Sequence, residues 1–186
     1  MAVFGGLILT NKGRNLYAKA QTGKTLKIKK VVLGDGTLGI TESIVNITQL
    51  KNKVLECEIK KIQITQNEIA TITFNLNNQE LETGFYWREL GVIAEDPDTQ
   101  EEILYCYGNA GENGEYISES GSADILEKLV SIDLIVSNVE NITATINKSL
   151  IYVTQNDIED LTSLINTKAD KTYVDEQIKG ALEGSY

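Results

Sequence analysis

The residue types that most often supply enzyme chemistry are few in this chain. Histidine is absent from the 186 residues, which excludes Ser-His and Cys-His nucleophilic pairs and histidine-based zinc, haem and non-haem iron sites. The two cysteines, Cys57 and Cys106, form no C-x-x-C motif and lie in strand-like segments. They are typical of small buried apolar residues in a reducing compartment. No G-x-S-x-G or phosphate-loop motif occurs, so we expect no catalytic residue, no cofactor, no metal site and no enzyme activity.

Two further motifs match ligand sites only in their spacing. Residues 34–39 form a G-x-G-x-x-G pattern that follows a predicted strand. A dinucleotide site also needs a buried parallel strand and a following helix, whereas this strand is rich in lysine and Asp35 would lie beside the phosphates. Residues 95–102 are acidic but lack the sixth-position glycine and the twelfth-position glutamate of an EF-hand loop. The sequence therefore predicts a glycine turn at 34–39 and an exposed acidic turn at 95–102.

The charges are distributed unevenly along the chain, whose formal net charge is −10. Residues 1–61 carry eleven basic and four acidic side chains, and residues 62–186 carry six basic and 23 acidic ones. This asymmetry favours a chain that docks onto copies of itself or bridges two partners of opposite charge. Nucleic-acid binding is not expected, because residues 24–66 contain no aromatic side chain on which a base could stack.

No segment has the length or composition of a membrane anchor. No apolar run approaches the ~20 residues that a membrane-spanning helix needs. The first ten residues lack the basic flank of a secretion signal. We therefore expect no membrane insertion, and a soluble protein of the cytoplasm or one that is assembled there.

Aromatic residues are concentrated in two segments, residues 85–90 and 104–107. Aromatic side chains at strand spacing usually pack in the core of a sheet, and we adopt this interpretation. The alternative is an exposed aromatic platform, which would make the chain a carbohydrate-binding module.

Hydrophobic periodicity predicts an α+β fold, mainly antiparallel β, that extends over residues 1–150. Residues 10–23 have the pattern of a short amphipathic helix, which Thr10 or Asn11 can cap and Gly23 can end. Strands are predicted at 26–33, 54–64 (with a bulge near Lys60 and Lys61), 70–76, 85–94, 103–107, 130–134 and 142–146. Residues 41–52 predict a second helix or a loop, and further loops are predicted at 77–84, 95–101 and 108–123.

The C-terminal region, residues 151–186, has a different pattern that predicts a short helical stalk. Capping-box sequences begin at Thr154 and Thr172, and each precedes apolar residues at a/d spacing. These apolar residues are Ile158, Leu161 and Ile165 after the first box, and Val174 and Ile178 after the second. Helices this short are marginal alone, so another chain or the preceding domain must cover the narrow apolar stripe. The pattern favours other copies of the chain and leaves two and three strands open.

Four ordered motifs resemble the phage tail-collar fibre family. They lie at residues 9–16 (LTNKGRNL), 32–36 (VLGDG), 85–92 (FYWRELGV) and 104–110 (LYCYGNA). Residues 139–144 (VENITA) and 168–175 (KADKTYVD) resemble the entry into the shaft of such a fibre. The order and spacing match the family over residues 5–150.

The resemblance implies a non-enzymatic structural protein of a virion or tail particle. In this family the N-terminal domain attaches a tail fibre to the baseplate of a contractile phage or bacteriocin tail, and the chain continues into a trimeric shaft. The implied partners are two further copies, a baseplate wedge protein and a distal fibre or receptor-binding protein. Because the sequence stops at Tyr186, we expect a truncated fibre or a short one that passes the receptor role to another protein. A carbohydrate-binding module that contributes to host receptor recognition remains the alternative.

The N-terminal segment is the expected contact with the baseplate. Its apolar residues Val3, Phe4, Leu7 and Ile8 belong to no predicted element of the sheet, so the sequence assigns them no packing partner. We expect these four residues to grip the baseplate protein, and residues 151–186 to hold three chains together. Assembly is expected in the cytoplasm of the bacterial host.

Overall fold

The computed structural model describes residues 2–64, 69–121, 126–135, 142–144, 155–168 and 179. The chain divides into two compact units, residues 1–150 and residues 151–186. The first unit consists mainly of antiparallel sheets with few helices, which confirms the fold class predicted for it. The helices are α1 (Asn11–Gln21) and α2 (Gln155–Lys168). The strands are β1 (Ile8–Leu9), β2 (Leu26–Gly34), β3 (Lys53–Cys57), β4 (Ile59–Ile64), β5 (Ile69–Asn77), β6 (Phe85–Trp87), β7 (Glu89–Glu95), β8 (Glu102–Asn109), β9 (Glu115–Ile117), β10 (Glu127–Ile135) and β11 (Ile142–Ala144).

The largest sheet has the order β1-β8-β7-β2-β11, with β3 also paired to β2. All its pairings are antiparallel except that of β11 with β2, which is parallel. Strands β7 and β8 are buried on both faces, as their two-sided apolar sequences predict. One face belongs to the main core, and the other is covered by a smaller cluster that includes Ile47 and Leu50 of the loop after β2.

A second sheet has the order β10-β5-β4 and confirms the predicted alternation in residues 70–76. Ala70, Ile72, Phe74 and Leu76 of β5 are buried in the main core. The other face carries polar pairs such as Thr73 with Ser131, whose hydroxyl groups are 2.9 Å apart. The period of two therefore places one face of β5 in the core and leaves the other polar.

Three predicted segments differ from the structure. Residues 54–64 are not one strand, because the chain leaves the large sheet after Cys57 and enters the second sheet at Ile59. The bulge predicted at Lys60 is confirmed, since the pairing with β5 moves from Ile59 to Lys61. Residues 85–94 divide at Arg88 into β6 and β7, and the predicted loop 108–123 contains β9, which pairs with β6. The local apolar pattern cannot reveal such a change of partner, since it does not depend on which strand lies alongside.

Helix α1 begins and ends where the sequence predicts. The Thr10 side chain caps it by accepting a hydrogen bond from the Gly13 amide at 2.9 Å. Gly23 follows the helix with a φ of +92°, a conformation that favours glycine. The segment predicted as helix or loop at 41–52 contains only one short 3₁₀ turn, Ile44–Asn46.

The second unit contains α2, which confirms a helix after the first capping-box sequence. Its predicted stripe is exposed within the single chain, with Ile158 at 49 %, Leu161 at 59 % and Ile165 at 54 % exposure. Val174 and Ile178 lie outside the described residues. In the described part of the chain, no helix combines the length and apolar character required to cross a membrane.

Candidate docking surface

The side chain that holds the glycine-rich segment 34–39 in place is Glu89, the first residue of β7, which is fully buried. Its carboxylate accepts hydrogen bonds from the amides of Gly36 (2.9 Å), Lys51 (2.8 Å) and Asn52 (3.0 Å). The Tyr107 hydroxyl donates a fourth bond at 2.7 Å. Four donors replace the water that the carboxylate loses on burial, so Glu89 closes the base of the loop formed by residues 35–52.

The glycines of the G-x-G pattern make room for this carboxylate. A Cβ atom on Gly34 or on Gly36 would lie 2.6 Å from Glu89 Oε2, which is closer than real Cβ contacts allow. The G-x-G-x-x-G motif thus surrounds a carboxylate of the protein itself. None of its three glycines has a positive φ, so the predicted turn built on left-handed glycines is wrong. Gly34 and Gly36 are required because a side chain there would collide with Glu89. The bound anion of a dinucleotide site has no counterpart here, because Glu89 occupies the space beside the turn.

The tip of loop 35–52 is also held by a carboxylate. Glu42 accepts a hydrogen bond from the Gly39 amide at 2.8 Å and forms an ion pair with Lys51. The Lys51 ammonium beside it lowers the pKa of Glu42, so this contact is charged at neutral pH. Between the two ends of this turn, Ile40 is fully exposed at 106 %. The loop therefore exposes the apolar side chain of Ile40 on a turn that is held by hydrogen bonds and an ion pair.

Helix α1 is anchored on β8. The Thr10 amide donates to the Tyr105 carbonyl at 3.1 Å, and the Thr10 hydroxyl donates to the Leu104 carbonyl. At Gly13 the helix approaches the strand so closely that a Cβ atom would lie 1.8 Å from the Tyr105 carbonyl oxygen. Glycine at this position therefore serves close packing and not flexibility.

Of the four N-terminal residues predicted to contact the baseplate, two pack against the protein and two are exposed. Phe4 packs against Trp87 with the ring centres 5.3 Å apart, and Leu7 packs against the main core. These two residues do have a packing partner, contrary to the premise drawn from the sequence. Val3 is 65 % exposed and Ile8 is 43 % exposed, so these two are accessible for contact.

Arg88, which lies between β6 and β7, is beside two exposed tyrosines. The guanidinium carbon lies 4.8 Å from the centre of the Tyr86 ring, and the Tyr86 ring contacts the Tyr116 ring at 5.2 Å. The backbone of Arg88 is held on both sides, since its amide donates to Gly34 and its carbonyl accepts from Ala110. Sequence reasoning did not identify Tyr116, because its partner Tyr86 is 30 residues away and the intervening strand pairing was not predicted.

An open groove lies next to Arg88, between loop 35–52 and the turn after β8. It is lined by Leu38 and Ile44 from the loop and by Ala110 and Asn113 from the turn, with Arg88 also contributing. The Val3 amide donates to the Asn113 carbonyl at 3.2 Å, so the exposed N-terminal segment lies beside the groove. We name this feature the Arg88 groove.

The family model of the phage tail-collar fibre protein, N-terminal, matches residues 1–156. The chain belongs to the phage tail-collar fibre family. Neither the search of curated proteins nor the search of solved structures found a match. The resemblance stated from the four sequence motifs is therefore confirmed, and membership supports a structural role in a phage tail.

In this tail-collar fibre chain, the four motifs contact one another. The motif at 9–16 is bonded to the motif at 104–110 through Thr10, and the motif at 32–36 is bonded to the motif at 85–92 through Gly36 and Glu89. Tyr107 of the motif at 104–110 completes the set by donating to Glu89. The motifs therefore form one interlocked framework, and their residues are used for backbone support.

The basic strand β2 is neutralised within the tail-collar fibre chain. Lys27 and Lys29 pair with Glu95 at 3.2 and 3.1 Å, and Lys30 pairs with Glu102 at 2.9 Å and with Glu56 at 3.1 Å. The lysine hydrogen bonds lower the pKa of Glu95. These three lysines are therefore paired within the chain, and they do not need an external partner of opposite charge.

The buried aromatic side chains of the sheet and the two cysteines are not available for binding or chemistry. Trp87, Tyr105 and Tyr107 are buried in the sheet, which confirms core packing and removes them from a sugar platform. Burial raises the pKa of both Cys57 and Cys106 to about 12. In the part of the chain that the structure describes, no cluster of three His, Cys, Asp or Glu side chains could hold a metal ion.

Proposed function

We propose that this chain is a non-enzymatic adaptor that attaches a tail fibre to the baseplate of a contractile phage or bacteriocin tail. The proposal assigns residues 1–150 to attachment and residues 151–186 to a trimerising stalk. Its partners are two further copies, a baseplate wedge protein and a distal fibre or receptor-binding protein. The location is the baseplate of the tail particle, which assembles in the host cytoplasm. Family membership carries the proposal.

The absence of enzyme activity in this proposal is supported by the chemistry of the Glu89 cluster. Glu89 and Tyr107 are both fully buried, and the Glu89 carboxylate already accepts four hydrogen bonds. A catalytic carboxylate must reach a substrate or a water molecule. This saturated arrangement favours structural support.

The trimer is supported by the exposed stripe on α2. Ile158, Leu161 and Ile165 are each about half exposed in the single chain, although they recur at the a/d spacing of a coiled-coil seam. Leaving such a stripe in water costs free energy, and other copies of α2 can cover it. Val174 and Ile178 continue the proposed seam.

The trimer is tested by replacing the three stripe residues together with Gln, which preserves helix propensity but removes the apolar seam. The matched control replaces the exposed residues Asp160 and Ser163 with Gln. Light scattering of the full chain should give the mass of three subunits for the wild type and the control, and of one subunit for the stripe variant. A monomeric wild type at micromolar concentration would contradict the trimer.

Attachment to the baseplate is supported by the exposure of Val3 and Ile8 at the N terminus. The proposal keeps Phe4 and Leu7 as residues that position this segment, because both pack against the core. The test uses Val3→Ser with Ile8→Thr and measures the amount of chain in purified tail particles. We expect reduced incorporation with an unchanged melting temperature, and equal incorporation would refute this contact.

A further inference from the structure

The Arg88 groove and the two tyrosines beside Arg88 combine features that natural interfaces use. Arg88 is half-buried and Tyr86 and Tyr116 are about half exposed, and arginine and tyrosine are enriched at positions that dominate binding free energy. Leu38 and Ile44 add apolar lining to the groove. The fully exposed Ile40 lies on the same loop, two residues after Leu38.

The Arg88 side chain is held in place before any partner binds. A Cβ atom on Gly114 would lie 2.8 Å from Arg88 Cγ, so the absence of a side chain there leaves room for the arginine stem. The guanidinium lies over Tyr86 and donates one long hydrogen bond, 3.4 Å, to the Asp35 carbonyl. An arginine fixed in this way loses little conformational entropy when its planar group binds a carboxylate.

The guanidinium has unused donors. Arginine has five N–H groups, and among the described residues the Asp35 carbonyl is the one acceptor in contact with them. Glu112 also lines the groove, and among the described residues no ion pair joins it to Arg88. The lysines of β2 differ, since Lys27, Lys29 and Lys30 each pair with a carboxylate of the chain. The unpaired charge at Arg88 is complementary to a carboxylate from outside.

We propose that the Arg88 groove binds a segment of a partner tail protein that presents an Asp or Glu side chain next to an apolar residue. The carboxylate pairs with the Arg88 guanidinium, and the apolar side chain packs against Leu38 and Ile44. Ile40 inserts into the partner surface beside the groove. This inference rests on the proposed adaptor function and adds a second contact to the one proposed at Val3 and Ile8.

The experiment uses two pairs of matched variants in the full chain. Arg88→Glu reverses the proposed charge, and Arg14→Glu makes the same change at an exposed position of α1. Ile40→Ser removes the exposed apolar side chain, and Ile64→Ser does so at a position of β4 that is 53 % exposed. Each variant is supplied to cells that produce tail particles without their own copy, and the amount of chain per particle is measured.

We expect Arg88→Glu and Ile40→Ser to reduce incorporation roughly tenfold, while both controls incorporate as the wild type does. The melting temperature and the mass of the assembly should be unchanged in all four variants. If replacing an Asp or Glu of a partner tail protein with Lys restores the incorporation of the Arg88→Glu variant, this would support the pairing directly. If Arg88→Glu fails to fold, Ile40→Ser decides, because its side chain makes no packing contact that folding needs.

Two results would overturn the inference. The first is incorporation of both groove variants at the level of their controls. The second is a fall in the mass of the assembly, from three subunits to one, in the groove variants. The occupant of the groove would then be another copy of this chain. A wild-type chain that is absent from the particles would instead contradict the adaptor function itself.

Discussion

Glu89 is the residue through which distant parts of the first unit are joined. A buried carboxylate is costly unless its lone pairs are used, and here each oxygen accepts two hydrogen bonds. Oε1 receives Lys51 and Tyr107, and Oε2 receives Gly36 and Asn52. Burial raises the pKa of Tyr107, and the Glu89 carboxylate raises it further, so the tyrosine keeps its proton and remains a donor.

Glu89→Gln should destabilise the protein by about 3 kcal/mol. The new amide group cannot accept hydrogen bonds, so whichever oxygen it replaces, two donors lose their acceptor. Urea unfolding of the variant measures the change, and Glu112→Gln, at an exposed carboxylate, should change stability by less than about 0.5 kcal/mol. Equal effects of the two substitutions would contradict the role of Glu89.

Gly13→Ala should also destabilise the protein, by about 2 kcal/mol. Helix propensity alone favours alanine by ~1 kcal/mol, but the new Cβ would meet the Tyr105 carbonyl oxygen at 1.8 Å. Gly5→Ala is the matched control, since nothing lies within 4 Å of its added Cβ. Thermal unfolding distinguishes the two, and a stabilised Gly13→Ala variant would show that α1 does not rest on β8 as described.

Neither cysteine should react with a thiol reagent in the folded protein at pH 7.5. Burial raises the pKa of Cys57 and of Cys106 to about 12, so the reactive thiolate form is scarce, and both side chains are inaccessible. An added cysteine at the exposed residue 15 provides the positive control. Labelling of that residue alone in buffer, and of all three in concentrated guanidinium chloride, is the expected pattern. Rapid labelling of either native cysteine would be inconsistent with the packing.

At the scale of elements, the acidic turn between β7 and β8 binds α1 to the sheet. Asp96 accepts a bond from Lys19 at 2.7 Å and another from the Asp98 amide at 3.0 Å. These bonds, with Lys19 as the larger cause, lower the pKa of Asp96 below its ordinary value of 3.8. Such a carboxylate stabilises the fold above that value, and the stabilisation disappears as the pH falls through the lowered pKa.

Asp96→Asn should therefore reduce stability at pH 7 and have a smaller effect at a pH well below 3.8. At low pH the wild-type Asp96 is protonated and has already lost its pairing with Lys19. Urea unfolding at several pH values measures the difference between variant and wild type, and Glu101→Gln serves as an exposed control in the same turn. A difference that does not depend on pH would exclude the ionic contribution.

At the scale of the whole molecule, the two units differ in what stabilises them. The first contains a core with many fully buried side chains, whereas the described residues of α2 include an exposed apolar stripe. Isolated helices of about 12–15 residues are marginal in water, and α2 has 14 residues. The proposed trimer would supply the missing packing.

The exchange protection of α2 should therefore depend on protein concentration. We expect the amides of Gln155–Lys168 to exchange slowly when the chain is trimeric and rapidly after dilution to the monomer. The amides of β2 provide the internal control, because they belong to the first unit and should be unaffected. Hydrogen exchange by mass spectrometry at two concentrations measures both. Equal protection of α2 at both would contradict stabilisation by association.

Local patterns predicted the elements whose signals are complete within a few residues. The alternation in residues 70–76 and the cap at Thr10 each depend on spacing along one segment, and the structure has both. The family was also evident from four short motifs, because their residues and order are specific.

The tertiary structure alone decided which distant residues meet. The sequence shows only that Glu89 follows Arg88, whereas the four donors to its carboxylate come from three other segments of the chain. The Arg88 groove and the contact of Tyr86 with Tyr116 likewise depend on how distant segments pair, such as β6 with β9, which no local pattern encodes. The periodicity of a segment records which side chains are buried. The identity of the neighbour depends on the packing free energy of the whole chain, and this is why these contacts appear only in three dimensions.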